Sequence, residues 1–209
     1  MSSIMEKLIE VIEDEDIEEL KKLHQEGADL MQPIDAGLEY GLEDPDYMPV
    51  LFFAIRKQAS IAFIETLLEL GLSLDLIDDD GLSIIDIAIK FKRVDILNYC
   101  IDKDIDLNET HRPSKITPII LASCFNNIEI AQFLLDNGAN INSQDSNGMS
   151  AKDYAKKLGQ KKMLSFLEEN GAKYNRYGDV VARKDTLQEK QGDMKNRQAP
   201  TDDMGFDSI

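Results

Sequence analysis

Tryptophan is missing from this chain of 209 residues, histidine and cysteine occur twice each, and basic residues are outnumbered 40 to 23 by acidic ones. Each shortage excludes something. A structural zinc site takes about four ligands, and Cys100, Cys124, His24 and His111 show no such spacing. A nucleophilic triad needs a nucleophile beside its base, and neither histidine has a visible partner. His24, at a helix end next to Gln25-Glu26-Gly27, is expected to meet free carbonyls. His111 falls in a loop beside Arg112-Pro113. Few cysteines suit a reducing cytoplasm. A net charge of −17 argues against phosphate backbones, which need clustered Lys and Arg. No apolar run approaches the roughly 18 residues of a membrane helix. The start, Met1-Ser2-Ser3-Ile4-Met5-Glu6-Lys7, lacks the basic-then-apolar order of a secretory signal. Gly178 and Gly192 are isolated, so there is no phosphate-cradling loop. Asp78-Asp79-Asp80-Gly81 has the look of a calcium loop, but with Asp80 fifth, Leu76 and Ile87 occupy places that need oxygen ligands. No catalytic residue, cofactor or metal is expected.

What is present is helical and periodic. In the stretch Thr117 to Asn142, Pro118 suits a first helical turn, where its absent N–H would go unpaired anyway. Ile119, Ile120 and Ala122 give that helix an apolar side. Ile130, Phe133 and Leu134 recur at three and four residues, and Gly138 closes a second helix. Such a hairpin cannot bury its apolar side alone, so it needs copies of itself as neighbours.

Thr117-Pro118-Ile119-Ile120-Leu121-Ala122, with Gly138-Ala139-Asn140-Ile141-Asn142 as its end, resembles the opening T-P-L-H-x-A and closing G-A-D-V-N of the ankyrin repeat. The frame recurs at Ser83-Ile84-Ile85-Asp86-Ile87-Ala88 and at Ser150-Ala151-Lys152-Asp153-Tyr154-Ala155. The starts at 83, 117 and 150 are 34 and 33 residues apart. Met48-Pro49-Val50-Leu51 through Ala54 is a looser copy with one or two extra residues, and Ile4 to Leu30 is a fifth, matched best at Gly27-Ala28-Asp29-Leu30. The resemblance implies an all-α ankyrin-repeat solenoid of about five helix-turn-helix repeats with finger loops, over residues 1–173. The repeats are set at 4–31, 47–78, 81–108, 115–142 and 148–173. Residues 174–209 form a polar tail expected to be disordered, with Val180 through Leu187 as one short candidate helix. Asp86 and Asp153 stand where the family has histidine, and a carboxylate there can accept backbone hydrogen bonds.

Two features break the pattern. Gly27 to Gly71 spans 44 residues, 11 beyond the family's 33, and the surplus falls in an inserted loop at 32–46. It is either a tolerated surface loop or a binding element presenting Tyr40 and Tyr47. Asp14-Glu15-Asp16 breaks the first hairpin, with Asp16 placed to cap its second helix. The fifth copy turns basic at Lys152, Lys156, Lys157, Lys161 and Lys162, as a solvated end cap or as a partner patch.

The resemblance also implies a binding surface on the concave side. Its finger positions here are Asp79, Asp80 and Leu82, then Pro113, Ser114 and Ile116, then Ser146, Asn147 and Met149. Its helix-end positions are Lys90 and Phe91, Cys124 and Phe125, Lys157 and Leu158, with Arg56 and Lys57 more loosely. Leu82, Ile116 and Met149 would form one apolar row, and Phe91, Phe125 and Leu158 another. Both rows either meet a partner or pack on adjacent repeats. The function implied is a non-catalytic, monomeric, cytoplasmic module that grips another protein, one with basic patches given the charge. An inhibitor or immunity-type protein plugging a basic enzyme or toxin is a second reading, and a secreted host-directed effector a third. No nucleic acid or membrane partner is expected.

Overall fold

The computed structural model describes residues 4–37 and 46–175. Among them are ten helices in five consecutive pairs. The pairs are α1 (Ile4–Asp14) with α2 (Ile17–Gln25), α3 (Val50–Arg56) with α4 (Ile61–Glu69), α5 (Ile84–Lys90) with α6 (Val94–Asp102), α7 (Pro118–Cys124) with α8 (Ile128–Asp136), and α9 (Ala151–Lys157) with α10 (Lys161–Glu169). The solenoid expected from the repeats is what forms. The looser second copy is in register: α3, α5, α7 and α9 begin at 50, 84, 118 and 151. Pro49 is therefore the residue before the helix, where its neighbours have Ser83, Thr117 and Ser150.

Side-chain caps start five of the ten described helices. Asp16, Ser60 and Asn127 accept the N–H of Glu19, Phe63 and Ile130 respectively, three residues on. Ser83 with Asp86, and Ser150 with Asp153, form reciprocal capping boxes. Within each pair the chain reverses through one left-handed residue: Glu15, Gln58, Lys92, Asn126 or Gly159. Four of these five carry a Cβ and resist that conformation. The packing of two helices across each turn holds them there.

Every residue of 50–55, 84–89 and 118–123 is buried. The middle first helices are enclosed all round rather than on one apolar side. α3, α5, α7 and α9 pack directly on one another in succession, whereas the second helices of successive repeats meet less closely. A stack tighter on one layer than the other must curve, with the first helices on its inner side.

Polar ties run between repeats. The buried Arg93 donates from Nη1 to the Ile55 carbonyl at 3.3 Å and from Nη2 to the Ala59 carbonyl at 2.7 Å. The same guanidinium grips Asp95, with Nε to Oδ1 at 2.8 Å and Nη2 to Oδ2 at 2.6 Å. That bond holds the Asp95 carboxyl below the usual carboxylate range. Asp86 accepts from Ser83 N–H and Oγ, both at 2.9 Å, and from Arg112 Nε of the next finger at 2.9 Å. Asp153 does the same for Ser150 and also accepts from Asn175 N–H at 3.1 Å. Asp86 thus ties its helix to the following finger, and Asp153 ties its helix to the chain beyond the last repeat.

Three expectations are corrected. His24 meets no carbonyl through Nδ1, which is buried without a hydrogen-bond partner among the described residues. Lys152 is not solvated: it reaches Glu168 at 3.3 Å, the Ala172 carbonyl at 3.3 Å and the Tyr174 ring at 4.2 Å. The insertion is not simply a loop. Its stems form a two-stranded antiparallel ribbon, β1 (Ile34–Asp35) against β2 (Tyr47–Met48), with Ile34 opposite Met48. Asp35 Oδ1 accepts the N–H of Gly37 and of Asp46, each at 2.9 Å, and Ile34 and Ala36 are fully buried. Tyr40, and the candidate helix from Val180 to Leu187, lie outside the described residues.

Candidate partner-binding surface

The finger between the second and third repeats is built by one carboxylate. Asp78 Oδ1 accepts the N–H of Asp80 at 3.0 Å and of Leu82 at 2.7 Å. Gly81 turns there with φ +76°, and a Cβ on it would come 2.6 Å from the His111 carbonyl oxygen. Only glycine fits, because the next finger's backbone lies against it. Asp145 repeats the construction, accepting from Asn147 and Met149 N–H at 2.8 Å each and from the Tyr154 hydroxyl at 2.7 Å. Burial opposes ionisation of Asp145, but these bonds outweigh it and hold the carboxyl low. Burial, aided by Asp145, pushes the Tyr154 hydroxyl up to about 12.

Six of the expected residues come together. Tyr47, Arg56, Asp80, Leu82, Lys90 and Phe91 line one recess of about 430 Å³, floored by Ile87 and bordered by Asp46, Met48 and Asp78. Arg56 lies 3.9 Å from Asp46, and the Lys90 ammonium 5.5 Å from the centre of the Phe91 ring. Tyr47, Asp78 and Asp80 also border a second cavity of about 350 Å³, and Asp79 joins them there. The insertion and the finger therefore face each other across two adjoining hollows. Met31, 67 % exposed, lines the second and was not expected. Its signal in the sequence was position alone, directly after the Gly27-to-Leu30 closing motif.

The other expected positions divide. Lys57 turns back to the first repeat, pairing with Glu13 at 2.6 Å and lying 5.4 Å from the Phe53 ring. The row Leu82, Ile116, Met149 is not an exposed row: Met149 is buried, and Leu82 and Ile116 are half-buried against the core. Hydrogen bonds from Met149 to Asp145 draw that finger inward. In the other row Phe91 is half-buried, while Phe125 is 45 % and Leu158 51 % exposed. Burial pushes the Cys100 thiol up to about 12 and, as the largest influence, the Cys124 thiol up to about 11. Neither is an activated nucleophile.

Known proteins match along this same frame. The family "Ankyrin repeats (3 copies)" matches residues 107–177. The E3 ubiquitin-protein ligase hecd-1 of Caenorhabditis elegans is 29 % identical over 106 residues, covering 51 % of this chain and 4 % of the ligase. The E3 ubiquitin-protein ligase Ufd4 of Drosophila melanogaster is 27 % identical over 149 residues, covering 68 % of this chain and 5 % of the ligase. An ankyrin repeat protein of Fowlpox virus, FPV031, is 37 % identical over 67 residues, covering 31 % of this chain and 19 % of its own length. The chain spans only a small part of each, and its likeness to the ligases lies in the repeats. No described helix is long and apolar enough to cross a membrane. Ankyrin repeats are protein-interaction modules, and four helix pairs spaced by 33 or 34 residues, with a fifth ahead of the insertion and that match over 107–177, make this chain an all-α solenoid of ankyrin repeats.

Proposed function

We propose that the chain is a non-catalytic module that holds a partner protein along the inner side of its curve, where the insertion, the second finger and the ends of α3 and α5 meet. The observation that carries this reading is the convergence of Tyr47, Arg56, Asp80, Leu82, Lys90 and Phe91 on one recess. Aromatic, apolar and charged groups side by side are the composition of a binding hot spot. The excess of acid, −17, selects a partner with basic patches through field complementarity. Phe125 and Leu158 extend the contact along the stack. The ligases' activity is not carried over, because the chain covers so little of them. An inhibitor that plugs a basic enzyme is a special case, marked by loss of that enzyme's activity in the complex.

The test is capture from the native cell by the full chain, repeated with Lys90→Ala/Phe91→Ala and with Gln132→Ala/Asp136→Ala on α8. Loss of the captured protein only with the first pair, both variants melting as folded proteins, supports the reading. Equal retention by both, or equal loss, refutes it.

A further inference from the structure

We propose that the insertion and the second finger form a socket for one apolar side chain of a partner polypeptide, flanked in that partner by a lysine or arginine. This rests on the binding reading above and adds the chemistry of its recognition element. The cavity of about 350 Å³ lies between the end of the first repeat, the β2 stem and the finger at 76–80. Its size is at the low end of the roughly 300–1,000 Å³ of small-molecule sites, right for one or two side chains. Leu30, Pro33, Val50, Leu72 and Leu76 make its wall apolar. Leu30, Val50 and Leu72 are themselves buried, so the wall is held rigidly by the core.

The rim carries the selectivity. Asp78, Asp79 and Asp80 follow one another along it, and among the described residues no lysine, arginine or histidine lines the cavity. Asp78 is engaged by the finger's own backbone through Oδ1, while Asp79 and Asp80 are exposed. An anionic ligand would meet repulsion from these carboxylates, and an uncharged apolar one would leave them without a partner. A cation beside an apolar anchor satisfies both parts. At the lip stand Met31 and Tyr47, 67 % and 64 % exposed, a polarizable chain and an amphipathic ring able to close over an inserted group. Asp78 and Asp80 border the neighbouring recess as well, but Arg56 and Lys90 line only that recess.

The probe is a phage-displayed random peptide library selected on the full chain. Enriched peptides should carry Leu, Ile, Met or Phe within two positions of Lys or Arg. The strongest, made synthetically and measured by fluorescence polarisation, should lose at least about tenfold in affinity with Asp79→Asn/Asp80→Asn and with Met31→Ala/Tyr47→Ala. Those four side chains are exposed or at the rim, so melting curves should not move. Peptides of another composition, or none enriched, overturn the proposal. Binding insensitive to both double variants but lost with Lys90→Ala/Phe91→Ala overturns the socket and leaves the wider binding reading standing. Binding insensitive to all three overturns both.

Discussion

Arg93 is a cation used as mortar. It joins the turn of the second repeat to the start of α6 through two carbonyls and a carboxylate, and it is 5 % exposed. Arg93→Ala strips the Ala59 carbonyl and Asp95 of their donor, while the Ile55 carbonyl keeps the Gln58 N–H, and should destabilise the fold by roughly 1–3 kcal/mol in urea melts. Arg93→Lys should recover little, since one ammonium cannot reproduce the planar fork; full recovery would show that charge alone matters. Its partner sets a pH dependence. The Asp95 carboxyl is held low in the folded chain, so the unfolded chain takes up that proton first as acid is added. The stabilisation is complete above the unfolded carboxylate range and drains away as pH falls through the folded value. Asp95→Asn should flatten the acid limb of a stability–pH curve, and an unchanged limb would exclude this pair as its source. None of this was legible beforehand. Arg93 sits between two repeats, and no local pattern tells a buried inter-repeat arginine from a solvated one. Asp86 and Asp153 were legible, because their place in the frame already demanded a hydrogen-bond acceptor.

Among the elements, helices α3 through α10 were readable from spacing, since each copy restates the same apolar positions. The ribbon was not. Two residues per strand give no periodicity, and glycine and proline across 32–46 read as loop. What makes the ribbon is a buried Ile34 and one carboxylate accepting from both stems. Asp35→Ala removes that acceptor from Gly37 and Asp46 and should lower stability by about 1–2 kcal/mol. The sharper readout is limited proteolysis, which should cut within residues 37–46 sooner than in the parent chain. Unaltered cleavage would mean the stems are held by burial alone. Met149 teaches the opposite lesson. Its finger position fits a partner contact, but the backbone bonds to Asp145 turn it inward, a choice made by geometry rather than composition.

Across the whole molecule, burial is concentrated in the middle of the stack and falls toward both ends. α5 and α7 have neighbours on both sides, whereas α1 and α2 show one buried stripe. In a structure stabilised repeat by repeat, opening should start where a module has one neighbour. Hydrogen exchange should therefore be slowest in α5 and α7 and fastest, among the helices, in α1 and α2; uniform protection would mean that the stack opens all at once. The missing methyl at Gly81 has a last effect at this scale. With His111 pressed on that spot, the second finger cannot tilt unless the third moves with it. A guest wedged under one should be felt under the next, so the two act as a single jaw whose bite is tuned thirty residues away from where it closes.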